Sequence, residues 1–130
     1  MLDATAILTP HAPAPVGPYS QAIRVDGFVF CSGQVGIDPT TGKIVTGGVA
    51  AEARQVLDNL AAVLAAAELT LDAVAKTTIF LIDINDFAAV NAIYGERMGT
   101  PPPARSTIAV AALPLGARVE IEAIAAAGPL

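Results

Sequence analysis

Three charged side chains stand where stiff backbone would hold them. Arg105 follows Pro101-Pro102-Pro103-Ala104 and opens a β-type run, Arg105-Ser106-Thr107-Ile108-Ala109-Val110. Prolines fix their own φ and bias the residue before them toward extended geometry, so this segment presents a guanidinium from a rigid lead-in. An arginine held this way grips both oxygens of a carboxylate with its planar fork; an ordinary strand-end ion pair is the other use of such a residue. Glu120 and Glu122 alternate with Val119, Ile121, Ala123 and Ala125 in the last apolar run, about Arg118 to Ala126. Both carboxylates therefore share one face of a strand with Arg118, before Ile124 and Ala126 take over that face. Such a face is either solvated or packed against another subunit, and in the second case a carboxyl with a raised pKa is able to orient or activate water.

Other chemistries are poorly supplied. Cys31 is the only cysteine, which removes an intramolecular disulfide or thiolate metal cluster, and the run Phe28-Val29-Phe30-Cys31 reads as a strand with a buried thiol. His11, the only histidine, lies between Pro10 and Pro13 and reads as part of a mobile terminal segment, which disfavours a His-based metal site or a Ser-His pair. Ser20, Ser32 and Ser106 consequently read as turn or hydrogen-bonding residues. A net charge of −5, with only seven Lys and Arg residues and no basic cluster, opposes nucleic-acid binding. No apolar run reaches the ~18 residues of a membrane span and no basic region precedes an apolar stretch at the N-terminus, so the expectation is a cytoplasmic protein without membrane contact.

The elements that must position these residues follow from periodicity. Over residues 1–130 there is no linker or repeat, so one domain is expected. Ile23-Arg24-Val25 and Phe28-Val29-Phe30 flank Asp26-Gly27, a hairpin signal, and Asp38-Pro39-Thr40-Thr41-Gly42 reads as a turn leading through Lys43-Ile44-Val45 to Gly47-Gly48. From about Val49 to Glu68, Ala53, Leu57, Leu60, Leu64 and Ala67 recur at helical spacing, with Glu52, Gln55 and Asn59 assigned to the opposing side and an Arg54 to Asp58 pair at i,i+4. Lys76 to Ile82 is the next strand. Asp83 or Asn85 then caps a second helix through Phe87, Val90, Ile93, Tyr94 and Met98. The order predicts an α+β fold in which two helices cover one face of a mixed sheet. With 54% hydrophobic and 15% charged residues, little polar material remains for the other face, and self-association through it is the natural outcome.

Several strings occur together in a telling order: Gly17-Pro18-Tyr19-Ser20-Gln21-Ala22, Ser32-Gly33-Gln34, Pro103-Ala104-Arg105-Ser106 and Glu120-Ile121-Glu122-Ala123. Ala53-Arg54-Gln55, Leu57-Asp58-Asn59, Lys76-Thr77-Thr78, Asn85-Asp86-Phe87 and Val90-Asn91 extend the pattern from about Pro15 to Ala126. In these features the chain resembles the RidA (YjgF) family of enamine/imine deaminases. The resemblance implies a chorismate-mutase-like α+β fold, a homotrimer with active clefts between subunits, and no cofactor. It further implies hydrolysis of 2-imino acids such as 2-iminobutanoate and 2-iminopropanoate, or of 2-aminoacrylate-type enamines, to 2-keto acids and ammonia.

By the same resemblance, Arg105 matches the arginine that binds the substrate carboxylate, joined by the backbone N–H of Thr107. Glu120 matches the glutamate that positions or activates water. Tyr19 matches a cleft tyrosine, Gly33 a glycine whose carbonyl lies near the substrate nitrogen, and Asn91 a polar residue near the cleft. Two departures from the family stand out: Thr107 replaces a cysteine common in relatives, and the segment from Tyr94 to Arg105, which by the resemblance forms one cleft wall, is shorter than in typical members and carries Pro101-Pro102-Pro103. A carboxylate-binding module without catalysis, and a ribonuclease or translation inhibitor, are the competing readings.

Overall fold

The computed structural model describes residues 3–127. Its main sheet takes β1 (Thr5–Ile7), β2 (Ala22–Val25), β3 (Phe28–Val35), β6 (Val74–Leu81), β7 (Ala104–Ala109) and β8 (Val119–Ala126), in the order β1-β2-β3-β8-β6-β7. Only β6 and β7 run parallel; the other neighbours are antiparallel. A separate ribbon joins β4 (Ile37–Asp38) to β5 (Lys43–Ile44) around the expected turn, where the Asp38 carboxylate accepts hydrogen bonds from the backbone N–H and hydroxyl of Thr40. The predicted hairpin forms as read, with Asp26 taking the left-handed conformation at φ 51°. β1 is an addition that the sequence did not announce, because three residues carry no usable periodicity.

Helices α1 (Gly48–Ala66) and α2 (Phe87–Arg97) cover one face, as expected. Ala53, Val56, Leu57, Leu60, Val63 and Leu64 of α1 are fully buried, in one core cluster with Val29, Ile79, Leu81, Val119, Ile121 and Ala125 of the sheet. Each such Val, Leu or Ile side chain stabilises the fold by about 1.5–3 kcal/mol relative to exposure, which makes this seam the main source of cohesion.

Three local expectations are corrected. Glu52 and Asn59 are buried rather than solvent-facing, since both satisfy backbone groups beneath them: Glu52 Oε1 accepts the N–H of Arg118 at 2.8 Å, and Asn59 Nδ2 donates to the carbonyls of Val35 and Ile37. Asp58 pairs with Arg97 of α2 at 2.8 Å instead of with Arg54. Asp83 caps the short 3-10 turn Ile84–Asp86 that leads into α2, not the helix itself.

The opposite sheet face has no covering layer among the described residues. Phe28, Phe30 and Ile108 there are each nearly half exposed, beside Glu122, Thr78 and Lys76. A cavity of about 270 Å³ lies among Phe30, Lys76, Thr78, Glu122 and Ile124.

Candidate active site

The final strand places Glu120 as its alternation requires. Val119, Ile121 and Ala123 face the helices, and Glu120 faces the uncovered side, paired across the ladders with Val35 and Phe80. Burial pushes its carboxyl pKa above the ordinary value, and the like charge of Glu122 adds to the shift. Gly33 sits where the β3/β8 register shifts between Cys31 and Gln34. A Cβ there would stand 2.6 Å from Oε2 of Glu120, so the missing side chain is the space the carboxylate occupies.

Tyr19 reaches the same place from the loop before β2. Its N–H donates to the Gly17 carbonyl at 2.8 Å, and its hydroxyl accepts the Val16 N–H at 3.4 Å. The loop is anchored by Gln21, which is 1% exposed: its side chain accepts from Thr9 N–H and donates to the carbonyls of Thr9, Ala12 and Pro13. Ser32 Oγ adds a bond to the Ser20 carbonyl at 2.6 Å, which bears out its hydrogen-bonding role. Tyr19, Gly33 and Glu120 thereby line one cavity of about 660 Å³, a size suited to a small metabolite, with Pro114 and Leu115 at its rim. Those two rim residues were not singled out in the sequence; the only local signal was Pro114 opening a turn in which Leu115 adopts φ 57°.

Arg105 and Thr107 lie elsewhere. They pair with Thr77 and Ile79 and so project toward the helix-covered side of β7, the edge strand, whereas Glu120 projects from the other face of the sheet two strands away. The guanidinium carbon of Arg105 lies over two rings of α2, 5.0 Å from the centroid of Tyr94 and 5.5 Å from that of Phe87. Among the described residues the ion pairs are Arg97–Asp58 and Arg118–Asp86, so Arg105 is not engaged in the strand-end ion pair considered above. Asn91 falls at the helical spacing that puts it on the Phe87 and Tyr94 side of α2.

The backbone of β7 adds donors. Val110 N–H bonds to the Leu81 carbonyl at 2.8 Å, and in a parallel ladder alternate residues make the bonds. The N–H groups of Arg105 and Thr107 accordingly point away from β6, off the free edge of the sheet. Thr107 Oγ1 is buried without a hydrogen-bond partner. The chain thus carries a carboxylate-lined cavity on one face and a cationic edge on the other.

The remaining candidates stay outside. His11 is exposed in a turn, its N–H donating to Thr9 Oγ1 at 3.2 Å. Cys31 is buried, and burial pushes its thiol pKa up to about 11. Among the described residues no cluster of His, Cys, Asp and Glu has the arrangement of a metal site, and no helix is long and apolar enough to cross a membrane.

A mixed sheet with two helices on one face, an edge arginine and a half-buried carboxylate over a glycine defines a class of small α+β proteins, and comparison gives it a name. The chain belongs to the Endoribonuclease L-PSP family, also called YjgF/RidA, whose family model matches residues 9–127. A mouse relative, 2-iminobutanoate/2-iminopropanoate deaminase, is 54% identical over 123 residues, covering 95% of this chain and 91% of its own. RidA from an Antarctic Psychrobacter superposes with a TM-score of 0.90 at 43% identity, covering 94% of this chain and 98% of its own. TdcF of E. coli, solved with bound serine, superposes with a TM-score of 0.88 at 40% identity and the same coverage.

Proposed function

We propose that this chain hydrolyses 2-imino acids, and their 2-aminoacrylate-type enamine tautomers, to 2-keto acids and ammonia without a cofactor, in clefts between the protomers of a homotrimer. The observation that carries the reading is the division of the site: a guanidinium with no acidic partner among the described residues at one edge, and a carboxylate with a raised pKa in a cavity on the opposite face. Neither half suffices alone. A ring of copies seats the Arg105 edge of one protomer against the Tyr19, Gly33 and Glu120 cavity of the next, and covers the apolar face that holds Phe28, Phe30 and Ile108.

In that cleft Arg105 and the outward N–H of Thr107 take the substrate carboxylate, and the Gly33 carbonyl accepts from the iminium N–H. Asn91 and the Tyr19 hydroxyl complete the polar lining. Glu120 removes a proton from water as its oxygen bonds to C2; the C=N π pair passes to nitrogen and gives a carbinolamine. Glu120 then returns the proton to nitrogen, and as the C–N bond breaks and ammonia leaves, the ionised Glu120 takes the hydroxyl proton so that the carbonyl forms. Because such imines already hydrolyse in water, orientation and one acid/base group, worth roughly 10²- to 10⁴-fold, make a useful catalyst. The serine held by the TdcF relative is a small α-amino carboxylic acid, the size and polarity this cleft accommodates.

The test couples the protein to a serine or threonine dehydratase and follows 2-keto acid release. Arg105→Ala should abolish the acceleration with the fold intact; turnover equal to that of the parent would reject the reading. Glu120→Gln should keep 2-ketobutyrate binding and lose rate, whereas saturable binding by the parent with no acceleration would identify a non-catalytic carboxylate-binding module. The ribonuclease reading runs against the net charge of −5.

A further inference from the structure

An arginine side chain has many rotamers, so a guanidinium without an acidic partner needs another restraint if it is to meet its ligand ready-oriented. Two aromatic rings provide it, and they are not equivalent. Phe87 is 40% exposed. Tyr94 is 5% exposed, and its hydroxyl lies 2.7 Å from Oγ1 of Thr77, itself 1% exposed. Thr77 is the residue paired with Arg105 across the β6/β7 ladder and with Ala123 on the other side, so the hydroxyl is tied to the rigid interior of the sheet.

We propose that Tyr94, fixed by Thr77, is the positioning residue for Arg105. Its ring meets the guanidinium at 5.0 Å, within the range at which an aromatic face attracts a cation. A ring attracts the cation through its π-face, while a carboxylate binds in the plane of the guanidinium through the N–H fork. The two interactions use different directions, so a substrate gains Arg105 without first displacing anything. An acidic side chain in the same place would compete with every ligand carboxylate. The proline-led strand singled out Arg105, but nothing in the spacing of Tyr94 marked it as more than a core residue of α2, because the guanidinium its ring meets comes from a different element.

The proposal rests on the reading of Arg105 as the carboxylate anchor, and the experiment separates the two. The dissociation constant for 2-ketobutyrate is measured by calorimetry, together with imine-hydrolysis kinetics and melting temperature, for the parent, Tyr94→Phe, Tyr94→Leu and Phe87→Leu. Tyr94→Phe keeps the ring and loses the Thr77 bond, so it should melt lower yet bind within about 3-fold of the parent. Tyr94→Leu should weaken binding on the order of 10-fold and raise KM in parallel, with kcat changed less than about 3-fold. Phe87→Leu, at an exposed position, should fold normally and weaken binding about 3-fold, which keeps the test alive if Tyr94→Leu does not fold. Affinity that tracks melting temperature across the series, or Phe87→Leu and Tyr94→Leu that bind as the parent does, overturns the positioning role while leaving the deaminase reading in place. A parent that neither binds 2-ketobutyrate nor accelerates hydrolysis takes both down.

Discussion

Gly33→Ala separates catalysis from folding more sharply than removal of a charged group would. An added Cβ would lie 2.6 Å from Oε2, 2.9 Å from Cδ and 3.1 Å from Cγ of Glu120. Ordinary contact begins at 3.4 Å, so the carboxylate tip must retreat by 0.8 Å. The atoms that must move are the far end of a flexible side chain, and Gly33 is not one of the glycines with positive φ. Alanine therefore fits the backbone, and the reduced freedom of the unfolded chain contributes about 0.4–1 kcal/mol in favour of folding. The melting temperature should stay within a few degrees of the parent. Catalysis should not: a displacement approaching 1 Å of a group that places water costs on the order of 10²-fold, or about 2.7 kcal/mol of barrier. Imine hydrolysis in the dehydratase-coupled assay, with 2-ketobutyrate affinity measured alongside, reads the effect. Parental turnover by a normally folded Gly33→Ala protein would refute the assignment of Glu120 to the chemistry.

Other outcomes follow from the same geometry. Glu120 must be ionised to act as a base and its pKa is raised, so the acid limb of kcat/KM should lie above the ordinary glutamate range; Glu122→Gln removes the neighbouring like charge and should move that limb to lower pH in a pH–rate profile. A raised folded-state pKa also means that the stability Glu120 contributes is present when it is protonated and is lost as pH rises through that value, so Glu120→Gln should melt higher than the parent at neutral pH in calorimetry. Asn59→Ala strands the Val35 and Ile37 carbonyls and should cost about 1–3 kcal/mol in urea unfolding. Cys31, with its thiol pushed up to about 11, should resist iodoacetamide at pH 8 in the native protein and react on unfolding, as mass spectrometry would show.

Much of the fold was legible because its long elements have strong periods. The α1 stripe and the alternation of β8 both held, and with them the side of the sheet on which Glu120 stands. The errors on α1 share one cause. Glu52 and Asn59 look like a solvent face of α1, but they are buried where backbone carbonyl and N–H groups from distant segments need partners, and no local period records a bond made 22 or 66 residues away. The same limit applies to the site. Residue type and position brought Arg105 and Glu120 into view and the family resemblance added Tyr19 and Gly33, yet the opposite projection of Arg105 and Glu120 depends on strand order, which the chain's periodicity does not encode. Phe87 and Tyr94 read as apolar residues of a helix, and only the position of β7 beneath α2 gives them a guanidinium to hold.

The central claim is that one copy supplies Arg105 and another supplies Glu120 to each site, and mixed assemblies test it most directly. Arg105→Ala and Glu120→Gln proteins, each inactive alone, are unfolded together in equal amounts and refolded, with mixing verified by native mass spectrometry. A site works only when its arginine comes from a Glu120→Gln chain and its glutamate from an Arg105→Ala chain, so about one quarter of parental imine hydrolysis should return. Verified mixed assemblies that stay as inactive as the separate variants would contradict the account.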